Sequence, residues 1–160
     1  MDENKLVVGI ADMKLTQCGG KLVTYALGSC IGICLYDPQS KLGALAHIML
    51  PLNMEAGRKN TFKYADTGIR ETLAQMIAAG ANRMRITAKI AGGAAMFATT
   101  GGVLGNIGQR NAESVRQVLK REGIPLLWED VGGSSARTME FDSATGAGTI
   151  HSYGQPVKTF

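Results

Sequence analysis

Apolar residues recur at every second position within residues 24–51, and this pattern predicts two strands joined by a tight turn. The alternation runs from position 31 to 35 and again from 42 to 46. Between these segments, residues 37–40 have the sequence Asp-Pro-Gln-Ser, in which proline suits the second position of a β-turn. We therefore predict a β-hairpin whose loop is residues 37–40.

The register of this predicted hairpin brings a cysteine and a histidine together. With this loop, Tyr36 pairs with Lys41, and Cys30 then faces His47 directly. A thiol within hydrogen-bonding reach of an imidazole can provide a nucleophilic thiolate at neutral pH. The prediction depends on the register, because a loop one residue longer would place the two side chains on opposite faces.

Residues near Cys30 supply further candidate site groups. Gly28 and Ser29 allow a sharp turn before the cysteine, so backbone N–H groups at this turn are candidate oxyanion donors. Thr24 lies in a predicted strand, and its hydroxyl could orient His47 as the third member of a triad. The alternatives are a threonine present for its β-propensity and a cysteine that is simply buried after a turn.

The rest of the pattern predicts two helices and several more strands. Apolar residues at helical spacing indicate helices over residues 62–79 and 111–122, each followed by glycine. Further strands are predicted over residues 6–10, 22–27, 84–90, 124–131 and 137–141, with a short last strand through 150–153. Strands outnumber helices and several form hairpins, so we predict one α+β domain over residues 1–160, with a mostly antiparallel or mixed sheet.

Composition and charge narrow the classes of function. Hydrophobic residues make up 45% of the 160 residues and charged residues 19%, as in a soluble globular protein. No apolar run approaches the roughly 20 residues that cross a bilayer, and no secretory signal begins the chain, so we expect a cytoplasmic protein without membrane insertion. The net charge of +4 is spread along the chain, which does not favour nucleic acid as a partner. The three cysteines and two histidines lack metal-ligand spacing, so we predict no metal.

Several other motifs receive a structural interpretation. The glycine pairs at 92–93 and 101–102 match neither the dinucleotide-binding nor the P-loop spacing, so a phosphate loop is rejected. Met96 and Phe97 are interpreted as core residues, with a substrate groove as the alternative. Polar residues interpreted as turn and ion-pair structure are Asn111, Asp130 and Arg137.

Ordered motifs along the chain resemble those of the chemoreceptor glutamine deamidases, the CheD family. They are Leu-Gly-Ser-Cys at 27–30, Tyr-Asp-Pro at 36–38, Gly-Ala-Leu-Ala-His-Ile-Met-Leu-Pro at 43–51, Lys-Tyr-Ala-Asp at 63–66, Lys-Ile-Ala-Gly-Gly-Ala at 89–94, Asn-Ile-Gly-Gln-Arg-Asn at 106–111 and Asp-Val-Gly-Gly at 130–133. The resemblance implies an αβ sandwich similar to the catalytic domain of deamidating toxins of the cytotoxic necrotising factor type.

The same resemblance implies a function and its residues. The family's catalytic cysteine, histidine and threonine fall on Cys30, His47 and Thr24, and no cofactor is required. The implied reaction converts glutamine side chains of methyl-accepting chemotaxis receptors to glutamate through a thiol acyl-enzyme, and the implied partner is a CheC-type phosphatase. Two alternatives stay open: a non-catalytic adaptor of that phosphatase, and a thiol transamidase that passes the acyl group to an amine.

Overall fold

The chain forms two five-stranded sheets and two helices within residues 5–52, 59–96 and 106–160, which are the residues that the computed structural model describes. The helices are α1 (Ala65–Ala78) and α2 (Ile107–Arg121). The strands are β1 (Lys5–Val7), β2 (Asp12–Gln17), β3 (Lys21–Leu27), β4 (Ile31–Asp37), β5 (Leu42–Ile48), β6 (Thr87–Gly92), β7 (Leu126–Val131), β8 (Arg137–Asp142), β9 (Gly148–His151) and β10 (Lys158–Thr159).

Strand order shows that both sheets are mixed. The first sheet has the order β1-β3-β8-β9-β10 and the second has the order β2-β5-β4-β6-β7. The pairs β1–β3 and β6–β7 are parallel, and the other neighbouring strands are antiparallel. The predicted α+β class, with two main helices and mostly antiparallel pairing, is confirmed.

The second sheet is the middle of three layers. One of its faces, which includes Ile33 of β4, packs against helix residues such as Ile69 and Val115. Its other face, which includes Leu45 of β5, packs against Phe141 and other residues of the first sheet. Because both faces are covered, every residue of β4 and β5 is buried. Side chains at alternate positions of β5 therefore point into the space between the sheets.

The N-terminal strands differ from the prediction. The sequence predicts a strand over residues 6–10, but β1 ends at Val7 and lies at a sheet edge. Leu6 and Val7 are 44% and 48% exposed. The following strand, β2, was not predicted, although Met13 and Leu15 alternate with polar residues. Each of these strands pairs with only one neighbour, so the apolar pattern that marks a covered strand is weak there.

Three other predicted boundaries also shift. Helix α1 starts at Ala65 rather than at 62, because Thr61–Lys63 forms a separate 3₁₀ turn. Strand β6 starts at Thr87 because Arg83–Arg85 forms another 3₁₀ turn. Helix α2 starts four residues earlier than predicted, so Asn111 lies within the helix rather than at its beginning.

Candidate active site

The hairpin of β4 and β5 has a register that differs by two residues from the predicted one. Asp37 pairs with Leu42, so the loop is residues 38–41, and Gly32 lies opposite His47. The predicted direct pairing of Cys30 with His47 is therefore wrong. Asp37 stays in the strand because its buried carboxylate forms a two-bond ion pair with Arg85, at 2.9 and 3.0 Å.

A shift of two residues keeps Cys30 on the same side of the hairpin as His47. Cys30 immediately precedes β4 and is two residues before Gly32, so strand alternation makes it a diagonal neighbour of the histidine. Such neighbours are about 7–8 Å apart, compared with about 5 Å for a direct pair. No hydrogen bond joins the thiol to the imidazole in this part of the structure. Cys30 is partly exposed, whereas His47 is fully buried.

Thr24 determines which nitrogen of the neutral His47 ring carries the proton. Its Oγ1 lies 2.7 Å from His47 Nδ1 and 2.7 Å from the carbonyl oxygen of Val8. The threonine hydroxyl has a single proton, which it donates to the carbonyl, so it accepts its second hydrogen bond from Nδ1–H. A neutral ring then carries its lone pair on Nε2. This atom is buried and has no hydrogen-bond partner among the described residues.

Burial keeps both groups of the candidate pair uncharged. It lowers the pKa of His47 to about 4. It also raises the pKa of the Cys30 thiol, an effect that the backbone N–H of Cys30 opposes. The expectation of a thiolate in the resting site is therefore not supported. The geometry instead combines a neutral thiol with a neutral imidazole whose free nitrogen can take a proton.

The chain segment that follows β6 holds the backbone around Cys30. The N–H of Gly93 donates to the Cys30 carbonyl at 2.9 Å, and the N–H of Ala94 donates to the Gly28 carbonyl at 2.8 Å. Gly92 approaches so closely that a Cβ on it would lie 2.1 Å from the Cys30 carbonyl oxygen. This glycine pair, rejected as a phosphate loop, forms a wall of the cysteine turn.

The candidate oxyanion donors differ in how they are engaged. The N–H of Gly28 donates to the Ala26 carbonyl at 3.0 Å, so this group is already paired. Among the described residues, no carbonyl outside the strands and helices accepts from the N–H of Ser29 or of Cys30, and the Cys30 N–H is directed towards its own thiol. The two N–H groups at the Ser29–Cys30 turn are therefore the candidate donors to a ligand at the thiol.

Arg137 supports the same wall from the first sheet. Its buried guanidinium donates to the carbonyls of Gly92, at 2.8 Å, and of Asp130 and Gly132, and it lies 3.7 Å from the Asp130 carboxylate. These contacts tie together the ends of β6 and β7, consistent with the structural interpretation of Asp130 and Arg137. Met96 was interpreted as core but is 44% exposed. Phe97 lies outside the described residues.

Asn111 belongs to the site, and the sequence interpretation missed this role. Its Nδ2 donates to the carbonyl oxygens of Ser29, at 2.9 Å, and Met49, at 2.8 Å. A signal was present, because Asn111 stands four and seven residues before Val115 and Val118, on the apolar face of α2. A fully buried amide on such a face requires partners. Its partners are distant in sequence, so the helical pattern alone could not identify them.

Other candidate chemistry is limited in the described part of the chain. No group of three or more cysteine, histidine or acidic side chains there is arranged to hold a metal ion. None of the described helices has the length and apolar character needed to span a membrane. His151 is exposed at the end of β9, and its Nε2 lies 3.1 Å from the Thr149 hydroxyl.

These features define an α+β protein with a candidate thiol site served by an uncharged base. The family model described as CheD chemotactic sensory transduction matches residues 49–152, which is more than half of the chain. The chain belongs to the CheD family.

Individual relatives extend this match across the candidate site. The chain is 48% identical over 154 residues to a "Probable chemoreceptor glutamine deamidase CheD" of Moorella thermoacetica, covering 94% of this chain and 92% of the relative. It is 45% identical over 160 residues to the protein of the same name from Caldanaerobacter subterraneus subsp. tengcongensis, covering 99% of each. The Bacillus licheniformis hypothetical protein YfiH has a TM-score of 0.47 and 21% identity over 74% of this chain and 49% of its own, so no conclusion follows from it.

We predict that Gly92→Ala distorts the Cys30 turn. Gly92 has φ +117° and Gly80 has φ +112°, but only Gly92 lacks space for a Cβ. Both alanine variants carry backbone strain of about 1–2 kcal/mol, and the overlap with the Cys30 carbonyl adds about 1–3 kcal/mol for Gly92→Ala. Urea unfolding measures both losses. Equal losses of stability for the two variants would contradict the close contact at Cys30.

We predict an acid-dependent loss of stability that His47 causes. Because its pKa is about 4 in the folded chain and 6.5 when unperturbed, the unfolded chain takes up this proton first as the pH falls. The free energy of unfolding should therefore be undiminished above about pH 6.5 and decrease by about 3 kcal/mol towards pH 4. Urea unfolding from pH 7 to pH 4 should show a shallower decrease for His47→Gln than for the wild type. Parallel curves would refute a lowered pKa for His47.

Proposed function

We propose that this protein is a cysteine-dependent deamidase that converts glutamine side chains of chemotaxis receptors to glutamate. The observation that carries the proposal is the buried, unpaired Nε2 of His47, which the contact between Thr24 and Nδ1 leaves as the basic nitrogen beside Cys30. Relatives that match nearly the whole chain bear the name chemoreceptor glutamine deamidase, which supports this reaction and substrate.

In the proposed first half-reaction, the Cys30 sulfur attacks the carboxamide carbon while its proton moves to His47 Nε2. Transfer during the attack suits a pair that burial keeps neutral at rest. The new S–C bond produces a tetrahedral oxyanion, which accepts hydrogen bonds from the N–H groups at the Ser29–Cys30 turn. His47 then returns the proton to the nitrogen, the C–N bond breaks, and ammonia leaves a thioester on Cys30.

In the proposed second half-reaction, water replaces ammonia. His47 Nε2 takes a proton from water as the oxygen attacks the thioester carbon. Collapse of the second tetrahedral intermediate breaks the S–C bond, and the proton on His47 returns to the Cys30 sulfur. The net change is glutamine and water to glutamate and ammonium, with the enzyme regenerated. Every step uses side chains and backbone of this chain, so no cofactor takes part in the proposed reaction.

The proposed setting is the cytoplasm, where the signalling helices of methyl-accepting receptors are accessible. A CheC-type phosphatase is the proposed second partner, as the family resemblance implies. Partial exposure of Cys30, with the exposed Met96 side chain over the nearby Gly28, is compatible with entry of a glutamine side chain from a protein surface. Two alternatives predict different results. An adaptor that only binds the phosphatase would form no product, and a transamidase would form product only with an added amine.

We predict that the wild-type protein releases ammonia from a receptor cytoplasmic fragment without any added amine. Peptide mass spectrometry should show glutamine converted to glutamate at defined positions. Cys30→Ala removes the nucleophile, and His47→Ala removes the base, so each should lower the rate by at least about 100-fold. Cys18→Ala is the matched control, because Cys18 is an exposed cysteine outside the site, and its rate should remain that of the wild type.

Conversion by Cys30→Ala at the wild-type rate would refute the proposed nucleophile. No conversion by any variant, with phosphatase binding intact in all of them, would favour the adaptor. Product formation only with an added amine would favour the transamidase.

We predict that Thr24→Val lowers kcat by about 10–100-fold, by analogy with the loss of the outer hydrogen-bond partner of a metal-bound histidine. Valine keeps the shape but lacks the hydroxyl that accepts from His47 Nδ1–H, so the imidazole can adopt the unproductive tautomer. Thr24→Ser retains this hydroxyl and should retain most of the activity. Steady-state kinetics on the receptor fragment compares the variants. Equal kcat for the valine and serine variants would show that the hydroxyl has no role.

A further inference from the structure

Asn111 connects the two chain segments that carry the candidate nucleophile and base. Its Nδ2 donates to the carbonyl of Ser29, the residue before Cys30, and to the carbonyl of Met49, two residues after His47. The two distances are 2.9 and 2.8 Å, and Asn111 is completely buried. One helix side chain therefore sets the separation of two segments that lie at one end of the β4–β5 hairpin.

The bond to Ser29 also fixes the direction of the Cys30 N–H. The Ser29 carbonyl and the Cys30 N–H belong to one planar peptide group, so orienting one orients the other. A hydrogen bond to the carbonyl also polarises the peptide and strengthens its N–H as a donor. The next peptide is held as well, because the N–H of Gly93 donates to the Cys30 carbonyl at 2.9 Å. Both peptide groups that flank the thiol are thus fixed.

The unpaired end of the same amide argues for a functional role. While both protons of Nδ2 are used, Oδ1 of Asn111 is buried and has no partner among the described residues. Leaving a buried acceptor unpaired costs about 1–3 kcal/mol. The unpaired Oδ1 of Asn111 therefore lowers stability, while its Nδ2 supplies two hydrogen bonds. A buried polar group left in this state calls for an explanation, and a role in catalysis is one.

We propose that Asn111 is a positioning residue for acyl transfer, which holds the Cys30 N–H as the oxyanion donor and holds the Cys30 turn against the end of β5. This inference rests on the proposed function of Cys30 as the nucleophile. No hydrogen bond among the described residues joins Asn111 to the Cys30 thiol or to the His47 ring. It acts through the Ser29–Cys30 peptide.

Ser114 provides a matched control on the same helix. Its Oγ donates to the carbonyl of Pro51 at 2.8 Å, so it holds the segment after β5 much as Asn111 does. Its hydrogen bond within the described residues goes to Pro51 and not to the Ser29–Cys30 peptide. Ser114→Ala therefore removes a comparable helix-to-loop hydrogen bond without affecting the proposed oxyanion donor.

The experiment compares two reactions of the Cys30 thiol in the full chain. Acetylation by p-nitrophenyl acetate passes through a tetrahedral oxyanion, whereas alkylation by iodoacetamide does not. For Asn111→Ala, we expect acetylation and kcat on the receptor fragment to fall by about 10–100-fold, with KM and alkylation within about threefold of the wild type. Ser114→Ala should leave the ratio of the two reactions unchanged. Asn111→Ser keeps one donating hydroxyl and should lose less, and it serves as the test if the alanine variant does not fold.

The outcomes separate this role from the proposed function. A wild-type acetylation-to-alkylation ratio in the folded Asn111 variants would overturn the positioning role, as would an equal fall in both reactions. If the wild type fails to deamidate receptors but Asn111 still controls that ratio, the proposed function fails and the positioning role stands.

Discussion

The hydrogen bond between Thr24 and His47 is the interaction on which the candidate site depends. Thr24 belongs to β3 of the first sheet, and His47 belongs to β5 of the second, so the bond crosses the space between the sheets. The contact exists only when the sheets are packed face to face in this alignment. Since the threonine proton goes to Val8, the same packing also decides which ring nitrogen is basic. The packing of the two sheets therefore also makes Nε2 the basic nitrogen of His47.

Burial leaves the His47 ring neutral and free to take a proton, but it also removes the charges that could stabilise the site. It excludes water from an imidazole that retains a free lone pair, and it favours the neutral forms of both His47 and Cys30. A site of this kind has no resting ion pair to stabilise it. The backbone around Cys30 must be held by other means, and the contacts from Gly93, Ala94 and Asn111 serve that purpose. Rigid support on several sides suits a reaction in which proton transfer accompanies bond formation.

Local patterns in the sequence could predict part of this arrangement. The period-two alternation places Cys30 and His47 on the same side of the hairpin, and an error of two residues in register does not change that side. The error itself arose from Asp37, which a local turn signal assigns to the loop. Its partner Arg85 is 48 residues away, and this distant ion pair keeps Asp37 in the strand. Such a contact has no local signature. The same reason explains why the carbonyls bound by Asn111 could not be foreseen, although its place on an apolar helix face was visible.

We infer that the resting site holds a neutral His47 with its proton on Nδ1. Long-range ¹H–¹⁵N correlation NMR of the imidazole at pH 7 tests it most directly, because the coupling pattern distinguishes both neutral tautomers and the cation. We expect the Nδ1–H tautomer at neutral pH, with protonation only as the pH approaches about 4. An imidazolium at pH 7, as in a thiolate–imidazolium pair, or a neutral ring with its proton on Nε2, would contradict it.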